Sequence, residues 1–211
     1  MARLLISILL LLVGCSLAVA QERIIDEATY YQDIKSAGEY RLKENYRVKR
    51  TTTTTTPGPP MTLEIEEIEQ PGPKMRVRVF QIGRNEAEPS LETIFIGQKV
   101  YEKRPGLEWR VEERSRRQAP LVTPSNAPKA EYKDLGIEPQ SSMRVLQRVV
   151  HSQLTHDGAT VENTHTQKSW IDRSGRLKKD EYTTTNPKTG STVLSMEYEI
   201  DSSIRIEAPI K

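Results

Sequence analysis

The side chains most able to do chemistry are His151, His156 and His165, and metal ligation is the chemistry they would do. Their spacing matches no ligand pattern, no cysteine stands beside them, and the surrounding stretch reads as strand and turn. They are taken as solvated or partly packed histidines, with no metal. No glycine-rich phosphate loop, Gly-x-Ser-x-Gly elbow or His-Glu-x-x-His helix occurs. Carboxylates are plentiful, but Glu64, Glu66, Glu67 and Glu69 alternate with or flank the apolar face of one strand and read as its wet side. Arg114-Ser115-Arg116-Arg117 has the look of a dibasic processing site and is read instead as a surface patch. No catalytic residue and no cofactor follows from these patterns, so a non-enzymatic protein is expected.

Cys15 is the single cysteine and cannot staple the fold. It lies in a targeting segment: Met1-Ala2-Arg3 is a short positive start, and residues 4–14 are an almost unbroken apolar run. That run has the length of a signal-peptide core and is too short to span a bilayer. Ala18-Val19-Ala20 places small residues before a cleavage at Gln21, the preferred reading; Leu12-Val13-Gly14-Cys15 resembles a lipobox, which would lipidate Cys15. Either way residues 1–20 are a signal, the protein is exported, and any membrane association is through a lipid anchor.

Residues 21–211 then suffice for a single domain. Sixteen of the first twenty residues are apolar, and without them the apolar share falls from 36% to roughly 31%. So thin a core favours an open sheet wetted on one side. Lys+Arg 31 against Asp+Glu 29 leaves almost no net charge, which gives no electrostatic case for nucleic acid.

Ile24, Ile25, Ala28, Tyr31 and Ile34 recur at helical spacing and predict a helix over residues 22–36, ended by Gly38. The period then changes to two. Tyr40, Leu42, Tyr46 and Val48 predict a strand that Thr51 to Thr56 can extend, and further strands follow at 61–66, 75–79, 92–102 and 107–113. Residues 114–141, with four prolines, predict a long irregular loop. Residues 143–154 fit either a helical face or a hairpin strand and are read as strand; further strands follow at 161–171, 177–185 and 192–198, with a last piece at 204–209. Nine or ten strands and one helix make the chain mainly β with minor α: a curved antiparallel sheet, an unclosed half-barrel with an N-terminal helix.

Trp170-Ile171-Asp172-Arg173-Ser174-Gly175 followed by Arg176-Leu177-Lys178-Lys179, and the closing Ile204-Arg205-Ile206-Glu207-Ala208-Pro209, carry a resemblance, together with Glu92 to Tyr101 and Trp109. The chain resembles the periplasmic lipoprotein-carrier superfamily of LolA-like and LppX- and LprG-like lipoproteins over nearly all of residues 22–211. The resemblance implies an unclosed β-barrel whose concave face holds acyl chains, in the periplasm or at the outer membrane of a bacterial envelope. The sequence departs from the carriers in showing one helix where they have additional lid helices.

Physical argument points the same way. One helix of about 15 residues is roughly 22 Å long and does not shield nine strands. Leu42, Val48, Leu63, Ile65, Val77, Val79, Ile94, Ile96 and Val111, with Trp109 and Trp170 as larger walls, are the candidate apolar lining. Two functions are expected from this lining. The favoured one is a monomeric carrier or sensor of lipid or lipoprotein acyl chains. The other is an envelope protein-interaction module with a self-filled core. The mature chain is expected to begin at Gln21; intact mass spectrometry checks this, and a mass starting at Cys15 with added acyl chains identifies the anchored form instead.

Overall fold

The computed structural model describes residues 22–55, 61–70, 72–81, 88–113, 128–156 and 159–210, with the backbone alone for 61–67, 81, 154–156 and 159–161. The targeting segment, Cys15 and Arg114 to Arg117 lie outside these residues. The described elements are β1 (Arg23–Ile24), α1 (Glu27–Gly38), a 3-10 turn (Glu39–Leu42), β2 (Tyr46–Thr55), β3 (Met61–Gln70), β4 (Lys74–Gln81), β5 (Leu91–Ile96), β6 (Lys99–Lys103), β7 (Arg110–Glu113), β8 (Ala130–Ile137), β9 (Arg144–His156), β10 (Ala159–Ile171), β11 (Leu177–Asn186) and β12 (Gly190–Ile200). All twelve strands form one antiparallel sheet in the order β1-β8-β9-β10-β11-β12-β2-β3-β4-β5-β6-β7, and the sheet does not close into a barrel. The expected mainly β class with one N-terminal helix is the class observed.

Asp26 sets the start of α1: its Oδ1 accepts the Thr29 N–H at 2.8 Å and its Oδ2 the Thr29 hydroxyl at 2.7 Å. With the helix beginning at Glu27, Tyr30, Ile34 and Ala37 share its inner stripe, and Tyr31 is left 45% exposed. The sequence reading placed Tyr31 and Ile24 on that stripe; Ile24 instead lies on the short edge strand β1, 84% exposed. The helical pattern also continues past Gly38 into the 3-10 turn, so Tyr40 and Leu42 are not in a strand.

Paired residues on neighbouring strands share a face, which lets the register divide the sheet into two surfaces. On the helix face, Tyr30, Ala37 and Tyr40 pack with Val48, Tyr132, Leu146, Ile171, Leu177 and Tyr198. Leu146 and Leu177 are fully buried, and the Tyr30 and Tyr132 ring centroids lie 5.1 Å apart. The second core lies on the opposite face, at the other end of the sheet. There Ile204 and Ile206 of the C-terminal segment cover Ile94 and Tyr101, flanked by Ile96 and Trp109. Lys74 Nζ fixes that segment by donating to the Ile206 carbonyl at 2.9 Å.

Three other expectations are corrected. Residues 92–102 are two strands, because Gly97 at φ 61° makes the tight turn between β5 and β6. Residues 130–137, expected to be irregular, form β8, whose Tyr132 and Asp134 are buried in alternation and which pairs with β1 and β9. Residues 204–209 form no strand; Ile204 and Ile206 are anchored by side-chain burial and by the Lys74 hydrogen bond to the Ile206 carbonyl.

Charge ties the N-terminal edge to this frame. Asp134 Oδ2 accepts from Arg23 Nη2 at 2.9 Å and from Arg144 Nη2 at 3.0 Å, and Arg144 Nη2 also reaches Asp33 of α1 at 2.7 Å. Burial alone would raise the Asp134 carboxyl, but hydrogen bonds from Arg144, the Gly136 N–H and Arg23 outweigh it and hold the group below its usual range. Its stabilisation is therefore complete above the ordinary carboxylate value of about 3.9 and is lost as pH falls toward the depressed one. Asp134→Asn should flatten the acid limb of stability below about pH 4, measured by chemical denaturation. An unchanged acid limb would remove Asp134 from the clamp.

Candidate functional site

The sheet face away from α1 is built from alternating charge. One cross-strand row runs Lys179, Glu197, Lys49, Glu67, Arg78, Glu92, Lys103 over seven neighbouring strands, Glu67 being placed by its backbone. The adjacent row runs Glu199, Arg47, Glu69, Arg76 and then turns apolar at Ile94, Tyr101 and Val111. Three guanidinium groups converge on Glu69: Arg78 at 2.9 Å, Arg76 at 3.1 Å and Arg47 at 3.2 Å. Arg47 also reaches Asp201 at 3.2 Å, and Arg76 approaches Glu92 at 3.4 Å. Glu69 is 5% exposed, so the sequence reading of it as a wet-side carboxylate is corrected. The signal for its burial was present in arginines spaced two apart at the matching positions of β4.

Beside this lattice lies an open trough of about 400 Å³ over β11, β12 and β2, walled by Met143 and lined by Arg47, Lys49, Lys178 and Lys179 with Glu197 and Glu199. Trp170 lies on the same face, with Lys179 Nζ 4.6 Å from its ring centroid and its own Nε1 donating to Glu138 at 3.1 Å.

On the helix face a buried polar cluster sits beneath α1. Asp180 accepts from the Ser169 hydroxyl and, at 3.0 Å, from Tyr198. A serine, a carboxylate and tyrosines in contact have the composition of a reactive site, but Ser169, Asp180 and Tyr30 are 0%, 4% and 1% exposed. No substrate reaches them. Burial raises the Tyr30 and Tyr198 hydroxyls, and that of Tyr40 to about 12, so these groups stay protonated, and those of Tyr198 and Tyr40 act as donors. Tyr40 donates to the Leu177 carbonyl at 2.8 Å. His165 is held at both nitrogens by the hydroxyls of Ser152 and Thr184, and His151 Nδ1 lies 3.3 Å from the Thr164 hydroxyl.

The expected apolar lining does not come together as one surface. Val48 belongs to the packed core under α1. Val77 and Val79 share its face but lie on β4, beyond the helix. Ile94, Ile96 and Trp109 belong to the opposite face under the C-terminal segment. Val111 is on that face as well, 49% exposed on the edge strand, and Trp170 is on it at the other end of the sheet. Leu42 is 85% exposed in the 3-10 turn and lines nothing. Leu63 and Ile65 lie on β3, where the backbone alone is described. Alternation reports that a residue faces a side of the sheet, and two adjoining strands of opposite phase cannot be told apart until their register is known.

No protein-family model matches this sequence, and no curated protein is significantly similar to it.

Glu69→Gln leaves three guanidinium groups around a neutral amide. The arginines are 26–37% exposed, so water screens much of the loss, and a destabilisation of about 1–3 kcal/mol is expected in urea denaturation. A change under about 0.5 kcal/mol would show that Glu69 does not organise this face.

Proposed function

We propose that this is an exported envelope protein that holds an acyl chain of a lipid or lipoprotein against the helix face of β3 to β6. The supporting observation is a stripe of apolar residues in register that continues past the end of the helix core. Ile68 pairs with Val77, Val79 pairs with Leu91, and Met75 pairs with Phe95, which pairs with Val100. Val79 is buried and the others are half-buried, while α1 contributes its core side chains over β8 to β12 and β2. A hydrocarbon chain laid along the stripe gains about 0.8 kcal/mol per buried CH₂ and asks for no polar partner. The packed state of the helix core moves the proposed groove away from the space under α1. The protein binds as a monomer in this reading, and it is periplasmic or attached to the envelope through a lipid anchor.

That same packed core favours the second reading, an interaction module whose sheet is filled by its own side chains. The two separate in native mass spectrometry of protein released under mild conditions. The acyl reading expects a co-purifying or exchangeable amphiphile, reduced at least tenfold by Val77→Asp in a variant whose thermal unfolding remains cooperative. A protein free of amphiphile that also takes none up from micelles would sink it and leave the interaction module.

A further inference from the structure

A second feature of the helix face lies on β9 to β11, where a small open cleft of about 110 Å³ is lined by Arg148, Val150, His165, Gln167, Tyr182 and Thr184, with Thr166 and Thr183. Their register places Arg148, Gln167 and Tyr182 in one cross-strand row and Val150, His165 and Thr184 in the next. The cleft is open to solvent and has room for the charged end of a ligand.

Arg148 is the odd member of the arginines in this sheet. Its Nε is buried and without a hydrogen-bond partner, as are those of Arg47, Arg76 and Arg78. Those three, however, give their terminal nitrogens to Glu69. Arg148 has no carboxylate within ion-pair distance among the described residues, although it is partly buried. A partly desolvated guanidinium without a counter-charge is costly to keep. The two buried carboxylates described on this face are engaged elsewhere: Asp134 accepts from Arg23 and Arg144, and Asp180 from the hydroxyls of Ser169 and Tyr198.

The remaining polar groups of the cleft are donors or neutral. The Gln167 amide donates to the Tyr182 oxygen at 2.9 Å, which leaves the Tyr182 O–H proton free to donate outward. Both nitrogens of His165 are already occupied by hydroxyls, so its ring walls the cleft and does not compete for a ligand. No carboxylate lines it.

We infer that this cleft binds an oxyanion, a carboxylate or phosphate group, with the Arg148 guanidinium as counter-charge and the Tyr182 hydroxyl as second donor. The inference does not require the acyl-chain reading, although both places lie on the same face of the sheet. The group can belong to a free anion or to the head of a lipid.

The test is a side-chain NMR titration of the mature protein, following the Arg148 Nε–H and the Gln167 amide. The probes are sodium acetate, inorganic phosphate and a soluble short-chain phosphatidic acid, each at ionic strength matched with sodium chloride. A saturating shift with at least one probe is expected, weakened tenfold or more in Arg148→Gln and about threefold in Tyr182→Phe. Saturation by the free anions alone marks a small-anion site. Tighter binding of the short-chain lipid marks a headgroup site. Tyr182→Phe carries the test should Arg148→Gln fail to fold, since it removes one proton donor and no packing. Shifts that follow sodium chloride alone, or that are unchanged in Tyr182→Phe and Arg148→Gln, would overturn the inference. Failure here leaves the acyl reading standing, because Val77 and its neighbours are read by a different measurement.

Discussion

A single sheet that buries one face at one end and the other face at the other end must change sides somewhere along its width. The helix covers β8 to β12 and β2 from one side, and the C-terminal segment covers β5 and β6 from the other. Between them, the face of β2 and β3 away from α1 lies outside both of these clusters among the described residues. Glu69 with its three arginines fills that interval. A carboxylate that accepts from three guanidinium groups is satisfied at low exposure, and long arginine stems lie along the sheet and shield backbone that no helix protects.

The lattice also fixes register. A slip of one residue in β3 would turn Glu69 toward Val48 and Val77 and turn Ile68 toward the arginines. Both faces would lose at once, one by an unpaired charge in an apolar core and the other by unpaired guanidinium groups. Two-sided patterning of this kind lets a thin core specify one pairing, which apolar burial on a single face would specify less firmly. The cluster under α1 adds a second point of definition: Asp180 is satisfied only if β10, β11 and β12 are aligned so that Ser169 and Tyr198 flank it.

The fold class was legible because strand alternation and turn residues are local properties. Tyr46 to Thr55, Leu177 to Asn186 and Gly190 to Ile200 could be outlined from spacing alone. The phase of α1 was less legible, since Tyr30 and Tyr31 are equally suited to burial and the choice is made by the Asp26 cap. Leu42 failed for a related reason: the residues after Gly38 alternate like a strand, yet the chain tightens into a 3-10 turn that lets Tyr40 reach the Leu177 carbonyl 137 positions away. The division of the apolar lining between two faces was not legible at all. Val77 and Ile94 have the same local pattern, and only the pairing of Val77 with Thr93 sets them on opposite sides. Glu69 and Arg148 were missed for want of the same information, namely which charges stand opposite one another.

This division restricts where an apolar ligand could rest. Hydrocarbon placed over the face away from α1 would cover Lys49, Arg47, Glu197 and Glu199, and each ion taken from water there costs several kcal/mol beyond any pairing it keeps. Further along, that face is already occupied by Ile204 and Ile206. On the helix face beyond α1, Val77, Leu91 and Phe95 are apolar, while Thr93 stands opposite Val77 and Glu66 is placed opposite Val79 by its backbone. In the acyl-chain reading proposed above, an acidic substitution on the helix face at β4 acts on ligand binding, whereas charge changes in the lattice act on stability.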